Sequence, residues 1–353
     1  MSKLRKKILF IIGTLNQTTQ MHQIASFLEG HFDCYFSQMF SSHWAFDTVI
    51  RTGILNHTLF AGRIKLKADR YLVENDLKND YRCRVYKNNY DLVVVCTDMM
   101  LPKNLRGIKT VWVQEGMIDN YNLLAKIVKT LKLPPVFAMS TALNGSSNEC
   151  DIYCAGSNGY KNYLSSKGTD IGKIAVTGIP NYDHLNQYLH NDFVHRDYVF
   201  VATSDIRETF RFDNRVKFIK HAVELAAGRP LIFKLHPNEK KRRAIAEIKK
   251  HTPAGTLIYS YGNTNHMIAN CSELITQYST VVFVGIALGK KVHSYFDVRK
   301  LKRLMPLQND GVSAESIAAI CGHFIYYKGS GAEFLKEHNQ VKLNDNTYIS
   351  HVS

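Results

Sequence analysis

Long apolar runs are missing from this chain. Nothing in it approaches the roughly 18 consecutive apolar residues a helix needs to cross a bilayer, so no transmembrane span is expected. The opening, Met1 to Lys7 followed by Ile8 to Ile12, has too short an apolar part for a secretion signal and reads as a first β-strand. Cysteine is sparse, seven in 353 residues, at an odd count and without framework spacing. That excludes a disulfide scaffold and fits buried thiols in a reducing cytosol. Cys150 and Cys154 are close in sequence, yet no second Cys or His pair at zinc spacing accompanies them. Asp-x-Asp is absent from the strand ends, and Asn344-Asp345-Asn346 lies in a polar tail, so no metal is expected. Glycine is missing where a dinucleotide fold needs it: the first strand-to-helix turn has Gly13 alone, which argues against NAD or FAD. Acid is in deficit, 30 Asp and Glu against 45 Lys and Arg, a formal charge of +15. The excess favours anionic partners: a nucleotide-linked substrate, a phospholipid surface or nucleic acid. With no arginine-rich tail and no zinc-finger spacing, specific nucleic-acid binding is not expected.

What the chain does have is the 45% hydrophobic content of a globular protein and length for two domains of roughly 150 residues each. Ile8 to Ile12, Cys34 to Phe36, Leu92 to Cys96, Thr110 to Val113, Asp151 to Gly156, Tyr198 to Ala202, Leu231 to Leu235 and Leu274 to Thr276 are short apolar runs with little alternation. Such runs mark strands buried on both faces of a parallel sheet. Helical repeats separate them. Thr18 to Leu28 sets Met21, Ile24, Ala25 and Leu28 on one face, and Asn214 to Ala227 carries an apolar side until Gly228 and Pro230 stop it. Val136 to Met139, Val292 to Phe296 and Phe324 to Tyr327 read as further strands, and Ser316 to Cys321 as a late helix. The polar stretch His184 to Asp197 precedes a fresh α/β series. It divides the chain into an N-terminal Rossmann-like domain, residues 1–190, and a C-terminal one, residues 191–353, whose final segment is unassigned. Two doubly wound α/β domains facing a central cleft are expected.

Chemistry gathers where the strands end. Gly13, Thr14 and Asn16 follow the first strand, and Gln114, Glu115 and Gly116 follow Val113, with Gly116 leaving room for a close approach. Glu115 is either a base for an acceptor hydroxyl or a charge at the start of the following helix. Asp98, just past Cys96, is a second candidate base. Further on, Leu231 to Leu235 runs into His236-Pro237-Asn238-Glu239, where proline ends the ladder and fixes the histidine at the strand edge. Thr203, Ser204 and Arg207 follow another strand. Arg207 holds a phosphate bidentately or makes a surface ion pair. Gln277-Tyr278-Ser279-Thr280 forms a polar corner before a short apolar helix that ends at Gly289. A nucleotide phosphate between His236 and this corner is expected; the bland alternative for His236 is a bond that secures its own turn. Lys240 to Arg243 opposes its helix dipole and serves an anion, a membrane or only solvent. Phe40, Trp44 and Phe46 wall a ligand or fill a core, and Arg51, Arg63, Lys65, Lys67 and Arg70 form a basic region.

Three of these stretches carry a resemblance: Val176 to Asp183 (VTGIPNYD), Phe233 to Glu239 (FKLHPNE), and Leu274 to Val282 (LITQYSTVV) followed by Leu288 to Lys291 (LGKK). In that order and spacing they resemble elements of the GT-B-type glycosyltransferase superfamily, near capsule and teichoic-acid polymer transferases, His-Pro sialyl- and Kdo-type transferases and UDP-N-acetylglucosamine 2-epimerases. The resemblance covers nearly the whole chain and implies a GT-B-like fold. It implies a CMP-, CDP- or UDP-linked sugar donor held by Thr203, Ser204, Arg207, Lys234, His236, Pro237, Asn238, Glu239, Tyr278, Ser279 and Thr280. Gly13, Thr14, Asn16, Gln114 and Gly116 would meet the acceptor, and Glu115, His236 and Asp98 would serve catalysis. Polymer transferases carry an acid where Gln277 stands here, which bears on the donor. The implied function is metal-independent glycosyl transfer, with no cofactor, to a saccharide or lipid-linked glycan in capsule or lipopolysaccharide assembly, in the cytoplasm at the inner face of the membrane. A basic surface for peripheral membrane contact goes with it. The alternatives are a non-hydrolysing UDP-N-acetylglucosamine 2-epimerase, a polyol-phosphate transferase and a noncatalytic nucleotide-sugar-binding scaffold.

Overall fold

A computed structural model of the chain describes residues 5–40, 52, 62–87, 89–99, 101–119, 123–131, 133, 140–209 and 212–338. The chain divides into two compact units, Met1–Asp183 with Asn309–Ser353, and His184–Gln308.

The first unit is built on β1 (Lys7–Ile12), β2 (Asp33–Gln38), β3 (Leu92–Val95), β4 (Lys109–Val113), β5 (Ile152–Ala155) and β6 (Ile174–Val176). All neighbours are parallel, in the order β2-β1-β3-β4-β5-β6. On β1, Ile8, Phe10 and Ile12 join one apolar cluster, while Leu9 and Ile11 are equally buried on the other face. Both faces are therefore covered, which is why the strands read as unbroken apolar runs. The helices among the described residues are α1 (Leu15–Ser26), α2 (Gly62–Glu74), α3 (Leu123–Thr130) and α4 (Asn158–Ser166). α1 starts three residues before the expected Thr18 because Thr14 and Gln17 form a reciprocal capping box.

The second unit holds β7 (Val199–Ala202), β8 (Leu231–Lys234), β9 (Leu257–Tyr259), β10 (Glu273–Thr276) and β11 (Lys291–His293) in the parallel order β11-β10-β7-β8-β9. Its helices are α5 (Arg215–Ala226), α6 (Lys241–His251), α7 (Thr264–Asn270), α8 (Val281–Ala287) and α9 (Val298–Leu304). Phe218, Ile219 and Ala222 of α5 and Ala244 and Ile248 of α6 pack on Val199, Val201 and Phe233. The chain reverses its order across the sheet between β7 and β10, the point where sheets of this kind open a ligand crevice at their carboxyl ends. The expected strand Val292 to Phe296 is shorter: β11 ends at His293, and Ser294 turns to donate its hydroxyl to the Gln277 carbonyl (2.8 Å). At the opposite, amino end of this sheet, Glu273 is 2% exposed and takes Arg229 (2.7 Å), Lys291 (3.0 Å) and His293. Burial pushes its carboxyl up, but these three partners more than offset that and lower its pKa to about 2.

The last described helices, α10 (Ser313–Phe324) and α11 (Gly331–His338), belong to the first unit, which corrects the assignment of all residues after 190 to a C-terminal domain. α10 buries Ile317, Ile320 and Phe324 in the same cluster as β1 and β3. Its entry is latched by the VTGIPNYD segment. Asp183 accepts the Ser313 N–H (2.7 Å) and Asn309 donates to the Thr177 carbonyl (3.0 Å). Gly178 has φ +82°, and a Cβ there would lie 2.1 Å from the Ser313 hydroxyl, so only glycine fits. Phe324 to Tyr327, expected as a strand, is the end of α10 and a turn, because the Lys109 ammonium takes the carbonyls of Phe324 (2.7 Å), Ile325 (3.3 Å) and Tyr327. Trp44, Phe46, Arg51, the Arg63 side chain, Val136 to Met139 and the tail around Asn344 to Asn346 lie outside the described residues. Phe40 is buried, as a core filler would be.

Candidate functional site

In the second unit, loops leave β7, β8 and β10 at the carboxyl edge and carry the expected phosphate-binding residues. The β8 loop is His236 to Glu239. Glu239 turns back into the protein, where it accepts the His236 N–H (2.9 Å) and the Thr203 hydroxyl. Thr203 in turn accepts the His236 N–H (3.1 Å). The histidine is thus held by its backbone, and its half-buried ring is free to face outward. The Asn238 N–H (3.3 Å) and the Asp205 carboxylate (3.5 Å) both address Nδ1, which leaves Nε2 as the nitrogen open to a ligand. Pro237 and Asn238 are exposed, and Asn238 also bonds Asp205 (2.9 Å). In the β10 loop, Tyr278 and Thr280 are exposed and Ser279 is half-buried. Ser279 accepts the Val281 N–H (3.4 Å), whereas the Thr280 hydroxyl makes no cap bond at the start of α8. Tyr278 stands edge-on to Tyr295 and Phe296, with centroids 5.4 and 5.2 Å away. His236, Asn238, Tyr278, Ser279 and Thr280 thus form a surface of neutral donors and one imidazole at the sheet's reversal point.

The remaining expected donor residues sit underneath. Ser204 is buried and donates to Gln277 (2.9 Å), and Gln277 donates to Asp213 (2.6 Å). An acid at Gln277 would face Asp213 as a like charge, which gives the departure from the polymer-transferase pattern a physical reason. Arg207 takes the ion-pair alternative: its fork is engaged by Glu247 (2.9 and 2.8 Å), with Asp213 at 3.8 Å. Lys234 is 6% exposed and donates to the Leu235 carbonyl (3.1 Å). Burial, and secondarily Lys241, lower its pKa. Lys240 caps α6 without a side-chain bond, and Lys241 lies 3.8 Å over the exposed Tyr261 ring.

In the first unit, Glu115 leaves the end of β4 and reaches the start of α1. The Gln17 amide donates to one carboxylate oxygen (2.7 Å) and the Thr14 hydroxyl to the other (3.2 Å). It therefore meets the capping box of a helix 100 residues away in sequence, not the helix that follows it. Burial raises its pKa above the ordinary glutamate range, and the bonds from Gln17 and Thr14 only partly offset this. Asn16 is exposed, its carbonyl accepting from Asn181 (3.0 Å), and Gln23 bonds the same Asn181 (3.2 Å). Gly13 closes β1 and is buried. Gln114 spends its amide on backbone, accepting from Gly156 N–H (2.8 Å) and donating to the Gly116 carbonyl (2.8 Å). A methyl on Gly116 would make only an ordinary 3.8 Å contact with Tyr182, so the close-approach glycine of this edge is Gly156, where a Cβ would meet Ile179 at 2.7 Å. Asp98 also differs from expectation. At 2% exposure it accepts from Gly145 N–H (2.6 Å), Ser147 N–H (3.0 Å) and hydroxyl (2.7 Å), and Tyr153 (3.3 Å). Both oxygens hold a loop, and no face is left for an acceptor hydroxyl.

Gln17, Asp213 and Arg215 are working residues that are not among the expected site residues. Thr14-x-x-Gln17 is a capping-box pattern and was legible. Nothing in the local sequence marks Arg215, which joins Ser204 and Asp213 of its own connection to Glu239 of the β8 loop. Among the described residues, no group of three His, Cys, Asp or Glu side chains could hold a metal ion, and no helix is long and apolar enough to cross a membrane.

No family model and no curated protein matches the chain by sequence. Solved structures do match. A protein of Listeria monocytogenes assigned as a UDP-N-acetylglucosamine 2-epimerase superposes with a TM-score of 0.57 at 16% identity, covering 92% of this chain and 98% of its own. The Methanocaldococcus jannaschii UDP-GlcNAc 2-epimerase, in complex with UDP-GlcNAc and UDP, gives 0.52 at 16% identity over 90% and 99% of the two chains. The wall teichoic acid polymerase TagF, soaked with CDPG, gives 0.51 at 11% identity over 92% and 90%. At such identities the likeness is one of fold: the chain has the two-unit, Rossmann-like α/β architecture of GT-B type that these epimerases and TagF share.

Proposed function

We propose that the protein is a nucleotide-sugar-dependent glycosyltransferase in which the second unit holds the donor's phosphate and Glu115 of the first unit takes the proton of an acceptor hydroxyl. The observation that carries this reading is the sheet reversal between β7 and β10, where the half-buried His236, with its backbone held by Glu239, and the exposed Thr280 hydroxyl, which makes no cap bond, stand at the carboxyl edge. A UDP- or CDP-linked donor is consistent with neighbours of this fold that were solved with UDP-GlcNAc, UDP or CDPG, and a CMP-linked donor rests on the sequence resemblance alone. The acceptor hydroxyl attacks the sugar carbon as the bond to phosphate breaks. The carboxylate of Glu115 accepts the hydroxyl proton, and the imidazole of His236 donates to the phosphate oxygen on which charge accumulates. Thr14 and Gln17 orient the base, and the exposed Asn16 of the same helix start is offered to a sugar or lipid-linked glycan. Membrane contact, if the acceptor is lipid-linked, would use the basic surface, and the proposed reaction proceeds in EDTA.

The test is a donor panel of CMP-, CDP- and UDP-linked sugars and polyols with saccharide acceptors, read by product mass. Transfer to an acceptor supports the proposal; no product from any pair sinks it. A second reading, UDP-N-acetylglucosamine 2-epimerisation, is favoured by the fold neighbours. Against it stands the carboxylate inventory. Elimination and readdition with proton exchange at the sugar call for more than one carboxyl, and among the described residues two that could join Glu115, Asp98 and Asp183, are both engaged in holding backbone. Solvent deuterium entering the sugar ring of UDP-GlcNAc without acceptor would decide for the epimerase. Transfer of a polyol phosphate, or nucleotide binding without turnover, would identify the other two alternatives.

A further inference from the structure

Three loops at the carboxyl edge of the second unit's sheet, from the adjacent strands β10, β7 and β8, are tied to one buried guanidinium. Arg215, the first residue of α5, is 4% exposed. Its Nη2 donates to the Ser204 carbonyl in the β7 loop (2.7 Å) and lies 3.0 Å from Glu239 in the β8 loop. Its Nε lies 3.0 Å from Asp213. Each of these carboxylates then holds a further loop group through its second oxygen: Glu239 takes the His236 N–H (2.9 Å), and Asp213 takes the Gln277 amide of the β10 loop (2.6 Å). Gln277 closes the ring by accepting the Ser204 hydroxyl (2.9 Å).

We infer that Arg215 is the positioning residue of the donor site: its fork sets the three loops in register, so that His236 and the Ser279-Thr280 corner present their donors together. The inference rests on the reading of this edge as the nucleotide-phosphate site. Its physical basis is the planar guanidinium. A buried ion pair adds little net stability after desolvation and is better understood as fixing geometry. Arginine alone offers several donors at set angles, so it can hold a carbonyl and two carboxylates at once. A lysine keeps the charge but is a single point, and cannot span Ser204, Asp213 and Glu239 together. Arg215 touches no ligand in this scheme; it acts through the backbone of His236 and the amide of Gln277.

The test uses R215K in the full-length protein, with D213N as a second variant that keeps side-chain size should the lysine variant fold poorly. E273Q, which breaks the charge cluster at the other end of the same sheet, is the control for general destabilisation. Hydrogen exchange is read on peptides spanning 203–208, 235–240 and 276–281, and CMP, CDP and UDP affinities by calorimetry. R215K and D213N are expected to speed exchange at least tenfold in those three peptides and to raise the donor KM tenfold or more, with the acceptor KM unchanged. E273Q moves neither. Loop exchange and donor KM at wild-type values in a folded R215K or D213N overturn the inference, as does an equal shift in E273Q. Should the wild type bind none of the three nucleotides, the donor reading fails, and the exchange data still decide whether Arg215 sets the loops.

Discussion

The carboxyl edges of the two sheets are built alike, strand end to loop to helix, yet they handle charge in opposite ways. In the first unit Glu115 is held by an amide and a hydroxyl and Asp98 by backbone N–H groups and hydroxyls, all neutral. In the second, Asp213, Glu239 and Glu247 are matched by Arg207 and Arg215, and the groups left facing outward are an imidazole, an amide and hydroxyls. A desolvated carboxylate with neutral partners has its proton affinity raised, and where it keeps an accessible face, as the half-buried Glu115 does and Asp98 does not, it can act as a base. A buried carboxylate with a cationic partner is locked to it and acts as a frame. On this contrast rests the proposed assignment of proton transfer to Glu115 and of loop placement to Asp213 and Glu239.

The contrast can be broken most decisively at Glu115. E115Q is expected to lower kcat by about 100-fold or more, within the range for loss of a general base, with nucleotide affinity unchanged. Full activity in E115Q would make Glu115 one more structural carboxylate. Because its pKa is raised, the base form is lost as pH falls, so the acid limb of the rate profile is expected above the ordinary glutamate value of about 4.3. Next in size, H236A is expected to cost about 3 kcal/mol in the chemical step, by analogy with removal of one preorganised oxyanion donor. Single-turnover rates at saturating donor check it, and a wild-type rate would leave His236 with the turn alone. D98N is expected to separate structure from chemistry: by removing a buried, fully bonded carboxylate it lowers stability by about 2 kcal/mol, while the folded fraction keeps the wild-type kcat. A kcat loss like that of E115Q would return Asp98 to the reaction.

The smallest effect on activity is expected at Glu273, whose partners are cationic like those of Asp213 and Glu239 but whose place is the amino end of the sheet. E273Q loses charge-assisted bonds worth about 2 kcal/mol and leaves nucleotide affinity alone. Its folded-state pKa is depressed, from 4.5 to about 2, so the stability it confers is present above 4.5 and is lost as pH falls through that window. Acid titrations followed by circular dichroism are expected to show this slope in the wild type and not in E273Q.

Much of the fold was legible because its signals are local. The runs Leu92 to Val95 and Leu231 to Lys234 lack alternation whatever packs on them, and the helix from Arg215 to Ala226 shows its period and its stop in one stretch. Misreadings came where a distant group decides the outcome. Phe324 to Tyr327 has strand-forming residues, yet Lys109 takes its carbonyls from more than 200 positions away. The domain boundary was drawn from composition, but Ile317 and Phe324 bury against β1 and β3, and a pattern of apolar residues does not say which sheet it will cover. The candidate site divided the same way. His236-Pro237 announces a strand edge by proline chemistry alone, whereas Asp98 and Arg207 look like free reactive groups until Gly145, Ser147 and Glu247 are brought to them.

The amino-acid order alone determined two α/β series, their short buried strands and the polar corners that close them, because hydrophobic period, proline and glycine act over a few residues. Only tertiary structure decided which polar groups are consumed and which stay open. A carboxylate's proton affinity and an arginine's partners depend on atoms that meet across tens to hundreds of positions, as Glu115 meets Gln17 and Arg215 meets Glu239.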